Sequence, residues 1–196
     1  MTALDRAGKI AEIHKICRTA QQLDAEFICA PMLGQDVNFE LAVENLVILA
    51  DIAASYKVKV AVEFVPQQQF DCLLATWKLL QAANKNNVGI VLDTVLFFLG
   101  PSNLSDLDII PIEKIFLVHL ADLPNAIKNI DFMTLVRNYR VFPGLGSLNL
   151  RLLISKLQQK NYSGYYSLEI LNQSFVDLDA KSCLMKWRKD IDSATL

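Results

Sequence analysis

Apolar positions along the chain fall into two alternating rhythms. In residues 6–23 (RAGKIAEIHKICRTAQQL), Ile10, Ile13, Ile16 or Cys17, and Leu23 recur near helical spacing with charges between them, which predicts a helix. Phe27-Ile28-Cys29-Ala30 is a short apolar run closed by Pro31 and Gly34, the pattern of a buried strand that ends in a turn. Residues 38–56 (NFELAVENLVILADIAASY) carry the clearest helical pattern, with Asn38 as N-cap. The β-branched run 58–65 (VKVAVEFV) stops at Pro66 and predicts a strand, followed by a helix at about 69–85 and a strand at 88–95. Residues 103–109 predict a short helix or turn, and 115–121 (IFLVHLA) another buried strand. Helices at 125–136 and 147–160, a strand at 165–171 (YYSLEIL) and a helix near 177–191 complete the pattern.

Strands that are apolar on both faces and alternate with helices describe a parallel sheet covered by helices, an α/β architecture. No Gly/Ser/Pro-rich linker or block of charge divides the chain, so 1–196 is expected to be one domain. No strand is followed by G-x-G-x-x-G or G-x-x-x-x-G-K-[ST], so nucleotide binding by those routes has no support. Pro143-Gly144-Leu145-Gly146 lies in a loop and is expected to make a tight bend.

Composition narrows the classes. The chain is 53% hydrophobic and 20% charged, which excludes disorder. Its mean hydropathy is +0.28, yet even the apolar block 88–99 (VGIVLDTVLFFL) contains a charge, and nothing reaches membrane-span length. The opening residues MTALDRAGKIAEIHK mix both signs of charge without an apolar core, so no secretory signal and a cytoplasmic protein are expected. A net charge of -2 gives no basic excess for nucleic acid or an anionic membrane. Cysteines at 17, 29, 72 and 183 show no C-x-x-C spacing and are expected to be reduced, buried thiols.

Against this apolar background, four polar residues stand near the C-terminal ends of four different predicted strands. They are Glu63 in AVEFVP, Asp93 in VLDTVL, His119 in FLVHLAD and Glu169 in SLEILN. In parallel α/β folds those strand ends are where ligand-binding and catalytic groups gather. Three carboxylates brought together there would repel one another without a cation. With one imidazole they form a mostly oxygen donor set, suited to Mn²⁺, Mg²⁺ or Co²⁺ better than to a structural Zn²⁺. The alternatives are local: Asp93 serving a turn before Thr94, and His119 pairing with Asp122.

The segments AVEFVP, VLDTVLFF, KIFLVHLAD, YRVFPGLGSLNL and GYYSLEILN, in this order, resemble successive landmarks of the sugar-phosphate isomerase/epimerase family, the xylose isomerase-like (β/α)8 TIM barrels. The resemblance spans about residues 10–176, and segment 114–175 is most similar to a branch that includes 3-dehydroshikimate dehydratases. It implies one divalent metal on Glu63, Asp93, His119 and Glu169, a small polyhydroxylated carbonyl substrate, and Glu63 and Glu169 doubling as acid and base at the carbon beside the carbonyl. It also places Arg137 and Arg140 where relatives carry substrate-facing arginines. Dehydration of a dehydroshikimate-like acid is the alternative chemistry, and a non-catalytic barrel remnant the alternative class.

Two positions depart from the family pattern. Relatives often read D-T-x-H where this chain has Leu96, and P-G-E-G or P-G-Q-G where it has Leu145. Both changes remove hydrogen-bonding capacity from the substrate side. Matching the motifs numbers the five predicted strands as four to eight of a barrel, so an incomplete barrel truncated at its N-terminus is expected. Its edge strands at 27–30 and 165–171 are then expected to pair with a second copy, as a homo-oligomer, or with a partner that covers them.

Overall fold

The computed structural model describes residues 3–125, 130–179, 181–183, 185 and 188. The chain divides into two compact units, Met1–Val91 and Leu92–Leu196. In both, helices and strands alternate as the hydrophobic pattern predicts.

The first unit holds helices α1 (Ala3–Gln22), α2 (Phe39–Ser55) and α3 (Leu73–Ala83) and strands β1 (Phe27–Pro31), β2 (Lys59–Glu63) and most of β3 (Val88–Asp93). β1 runs parallel to β2, with Pro31 opposite Glu63, and β2 runs parallel to β3, with Glu63 opposite Val91. Helix α2 begins where the sequence places its cap: the Asn38 carboxamide oxygen accepts the Leu41 N–H at 2.9 Å. Its buried residues Ala42, Leu46, Ala50 and Ala53 make one stripe at helical spacing. α3 starts four residues later than the pattern predicts, because the chain turns through 66–72 and Cys72 takes the cap position, its sulfur 3.5 Å from the Ala75 N–H. Asn84 ends α3 in the left-handed conformation, φ 49°.

The second unit begins within β3 and holds α4 (Thr94–Leu99), α5 (Asp106–Ile109), β4 (Ile115–Leu120), α6 (Phe132–Asn138), α7 (Leu150–Gln159) and β5 (Tyr165–Leu168). β4 and β5 are parallel, with His119 opposite Ser167. The expected strand 88–95 is corrected here: β3 stops at Asp93 and a helix, absent from the sequence prediction, starts at Thr94. Asp93 causes the change, since its carboxylate accepts the Leu96 N–H at 2.8 Å and caps α4. The apolar run VLFFL that looked like strand continuation is helical, with Val95, Leu96 and Phe97 in the core. α7 buries Leu150, Leu153 and Leu157 on one face. Part of the helix expected at 125–136, residues 126–129, and most of the second half of the one expected near 177–191 lie outside the described residues.

The expectation of buried thiols holds for Cys17 alone. Cys29 is exposed on β1, while Cys72 and Cys183 are half-buried. β1 has β2 as its only strand neighbour among the described residues, so side chains on it meet water where a central strand's would meet a neighbour. No helix among the described residues is long and apolar enough to cross a membrane.

Candidate metal centre

In the second unit, three of the polar residues singled out in the sequence converge. Asp93 ends β3, His119 is the penultimate residue of β4, and Glu169 follows β5 directly. The strand periodicity explains the convergence. Ser167 stands opposite His119, and Glu169, two residues on, projects to the same face of β5. The Glu169 N–H reaches the Leu120 carbonyl at 3.3 Å and carries the ladder past the end of the strand.

Each of the three offers a donor atom within 4.8 Å of the other two. His119 Nδ1 lies 3.5 Å from Glu169 Oε2 and 3.9 Å from Asp93 Oδ2. Asp93 is fully buried, and the His119 and Glu169 side chains are 12% and 32% exposed, so the group opens to solvent on one side. The local alternative for His119 does not hold, because Asp122 is engaged elsewhere. The alternative for Asp93 holds in part, since one carboxylate oxygen caps α4 while the other faces His119.

Arg140 was expected to face substrate from a loop. It is 3% exposed, and its guanidinium turns inward. Nη1 donates to Asp93 Oδ2 at 2.6 Å and to Glu169 Oε2 at 2.9 Å, while Nε donates to the Val136 carbonyl at 2.7 Å. Two buried or half-buried carboxylates therefore share one fixed positive charge, which offsets the repulsion that juxtaposing them would otherwise cost. Arg137, the other expected arginine, is exposed in the last turn of α6.

Two residues outside the expected donor set hold this group in place. Thr94, directly after Asp93, is fully buried; its hydroxyl donates to the Ala121 carbonyl at 2.7 Å and stands 3.0 Å from the Ala121 N–H that donates to it. This ties the end of β3 to the end of β4, where His119 sits. The Asp122 carboxylate accepts four backbone N–H groups, from Leu123, Gly144, Gly146 and Leu148, at 2.8–3.2 Å. Reciprocal backbone bonds between Asp122 and Val141, and from Arg140 N–H to Leu171 O, stitch the segment carrying Arg140 between the ends of β4 and β5. The sequence signal for Asp122 was the glycine pattern of the P-G-L-G loop, which exposes N–H groups without side chains in the way.

Glu63 is half-buried at the end of β2 in the first unit, at the strand-end position expected for it. Leu96 is 4% exposed and belongs to the core, whereas Leu145 is 44% exposed at the tip of the Asp122-bound loop.

The donor set fits a divalent cation: two carboxylates and an imidazole, donor types that divalent metals accept, converge. Comparison with known proteins shows the family. The family model described as "Xylose isomerase-like TIM barrel" matches residues 2–192. This chain belongs to the xylose isomerase-like TIM barrel family. Among its relatives, the inosose isomerase of Halalkalibacterium halodurans is 32% identical over 95% of this chain and 68% of its own length. The inosose isomerase of Bacillus subtilis is 30% identical over 92% of this chain and 66% of its own. The 3-dehydroshikimate dehydratase of Pseudomonas aeruginosa is 29% identical over 88% of this chain but 26% of its own. The chain thus spans about two thirds of the length of the inosose isomerases it matches. A crystal structure of IOLI protein with a binding zinc atom superposes with a TM-score of 0.83 at 26% identity, over 96% of this chain and 69% of the other.

Proposed function

We propose that the xylose isomerase-like site of this chain binds one divalent metal through Glu63, Asp93, His119 and Glu169 and serves isomerisation or epimerisation of a small polyhydroxylated carbonyl compound of the inosose type. The observation that carries this reading is the convergence of Asp93, His119 and Glu169 within 4.8 Å on adjoining strand ends. The inosose isomerase relatives support the reaction class, and the zinc of the IOLI structure supports a metal. Zn²⁺ is accordingly the first metal to test, which reverses the preference for Mn²⁺, Mg²⁺ or Co²⁺ drawn from donor hardness. Catalytic zinc accepts imidazole and carboxylate donors while keeping a position open for substrate; the hardness rule disfavours it only as a closed structural site.

Bound there, a divalent cation would supply Lewis acidity, holding substrate oxygens and polarising the carbonyl. The protein's own groups would then do the proton work. Glu63 and Glu169 remove a proton from the carbon beside the carbonyl and return it, while Asp93 is oriented by its Leu96 N–H and Arg140 contacts. Exposed Arg137 is proposed to meet substrate. The 3-dehydroshikimate dehydratase relatives favour a second reading within the same site, in which loss of a β-hydroxyl follows removal of the α-proton.

Metal content tests the proposal. The purified chain, incubated with Zn²⁺, Mn²⁺, Co²⁺ or Mg²⁺ and dialysed, is expected to retain about one ion per chain, and Glu63→Gln and His119→Ala are expected to weaken retention by about 100-fold or more, at least the loss seen on removing supporting groups around a metal. A parent chain that retains no metal overturns both enzyme readings. Where metal binds, assays of inosose isomerisation and of dehydroshikimate consumption separate the two chemistries.

A further inference from the structure

Arg140 is anchored before its guanidinium reaches the carboxylates. Its N–H donates to the Leu171 carbonyl at 3.1 Å, its carbonyl accepts from Asn172 Nδ2 at 2.8 Å, and its Nε donates to the Val136 carbonyl at 2.7 Å. The next residue, Val141, exchanges both backbone hydrogen bonds with Asp122 at 2.9 Å. Asp122 is buried on the same stretch of chain as His119, and both its oxygens are spent on backbone N–H groups. Oδ1 accepts from Leu123 and Leu148, and Oδ2 from Gly144 and Gly146, so the carboxylate clasps the chain that follows Arg140 onto the end of β4. From that backbone, Nη1 donates to Asp93 Oδ2 at 2.6 Å and to Glu169 Oε2 at 2.9 Å, and reaches the Glu169 carbonyl at 3.5 Å. Asp93 Oδ1 accepts the Leu96 N–H, so both oxygens of that carboxylate are held and its plane is set.

We infer that Arg140 is a positioning residue of the metal centre rather than a substrate-binding one, and that Asp122 acts on the centre through it. The inference rests on the metal-binding reading above and adds to it the groups that aim the ligands. A carboxylate oxygen has two lone pairs, and a hydrogen bond from Nη1 uses one of them. A guanidinium bond and a metal bond at the same oxygen are therefore compatible, and carboxylate ligands in metal sites are commonly hydrogen-bonded in this way. Nη1 fixes Glu169 at both its side chain and its carbonyl; without those bonds the side chain gains rotamer freedom that a metal must then remove. A lysine at 140 keeps the charge but lacks the planar fork that serves Val136 and two carboxylates at once. The effect of Asp122 runs through the segment it clasps, because its oxygens are occupied by N–H groups.

The test is a double-mutant cycle read by calorimetric titration of Zn²⁺ into the full chain, at a temperature where circular dichroism shows every variant folded, so that lost stability does not enter the reading. Arg140→Lys and Asp122→Asn are each expected to bind Zn²⁺ about tenfold more weakly than the parent, and the double variant no more weakly than about tenfold, because both changes act at one point. A purely coulombic effect of removing the Asp122 charge would persist in the Arg140→Lys background. Losses that multiply to about 100-fold therefore overturn the action of Asp122 through Arg140. Zn²⁺ affinity in Arg140→Lys equal to or above that of the parent overturns the positioning role and leaves the metal reading standing. Absence of binding in the parent overturns both. Should either variant fail to fold, Gly146→Ala, which disturbs the same clasp at one of its bonds, decides by itself. It is expected to bind Zn²⁺ about tenfold more weakly and to change the visible absorption of bound Co²⁺, and parent-like affinity and absorption overturn the inference.

Discussion

Gly146 donates its N–H to the Asp122 carboxylate at 3.1 Å, and a side chain at 146 would run into that carboxylate and the Leu123 carbonyl. The glycine is thus required by contact with Asp122. Gly146→Ala must push the loop off the end of β4 and is expected to lower stability by about 1–3 kcal/mol, as overpacking does. Asp122→Ala strands up to four N–H groups and is expected to cost about 3 kcal/mol or more. Urea unfolding followed by circular dichroism measures both, and losses below about 0.5 kcal/mol would show that the loop re-forms its bonds elsewhere.

Thr94 and Ala121 are joined by two hydrogen bonds at zero exposure. Thr94→Val keeps the shape and removes the hydroxyl, leaving the Ala121 N–H and carbonyl without that partner. The expected loss is about 2 kcal/mol. Because Thr94 follows Asp93 directly, the variant is also expected to bind metal more weakly than the parent, by about tenfold, which titration calorimetry reads independently of unfolding.

Tyr162 is expected to make the second unit sensitive to alkali. Burial of its ring, and secondarily the neighbouring Tyr166, push the phenol well above its ordinary value of 10.0, and the hydroxyl donates to the Tyr165 carbonyl at 2.9 Å. A raised folded-state pKa favours the protonated form in the native protein, so its contribution to stability is complete below about pH 10. The contribution falls as pH rises beyond that, where the unfolded chain ionises and the folded one does not. Melting temperature is expected to drop between pH 9.5 and about 11, and Tyr162→Phe to flatten the drop. Equal slopes for parent and variant would assign the loss to other groups.

The β5 edge is expected to support self-association. Tyr165, Tyr166 and Leu168 are 58, 43 and 39% exposed, and β5 has β4 as its single strand neighbour among the described residues. An exposed apolar edge of this kind invites strand pairing with a second copy. Sedimentation velocity at micromolar concentration is expected to show dimers or larger species, shifted toward monomer by Tyr166→Lys. A stable monomer throughout that range would remove the proposal.

Much of this protein was legible in its sequence because periodicity is a local property. The stripe Ala42, Leu46, Ala50, Ala53 and its cap Asn38 needed only 3.6-residue spacing and one carboxamide. The polar strand ends stood out for the same reason: a carboxylate or imidazole inside an apolar run costs too much to lack a purpose. Periodicity misled at 94–99, where apolar residues fill a helix as readily as a strand and the capping bond of Asp93 decided between them.

What the sequence determined by itself, then, is the alternation of strands and helices apart from α4, the family, and the donors on which a metal site could be built. The tertiary structure decided how those donors are held. Arg140 meets Asp93 across 47 residues and Glu169 across 29, and Asp122 meets Leu148 across 26. No spacing rule encodes such partners, because they depend on which strand ends the fold sets side by side. An arginine in a loop looks solvent-bound when read along the chain; two carboxylates converging from different strands draw it inside.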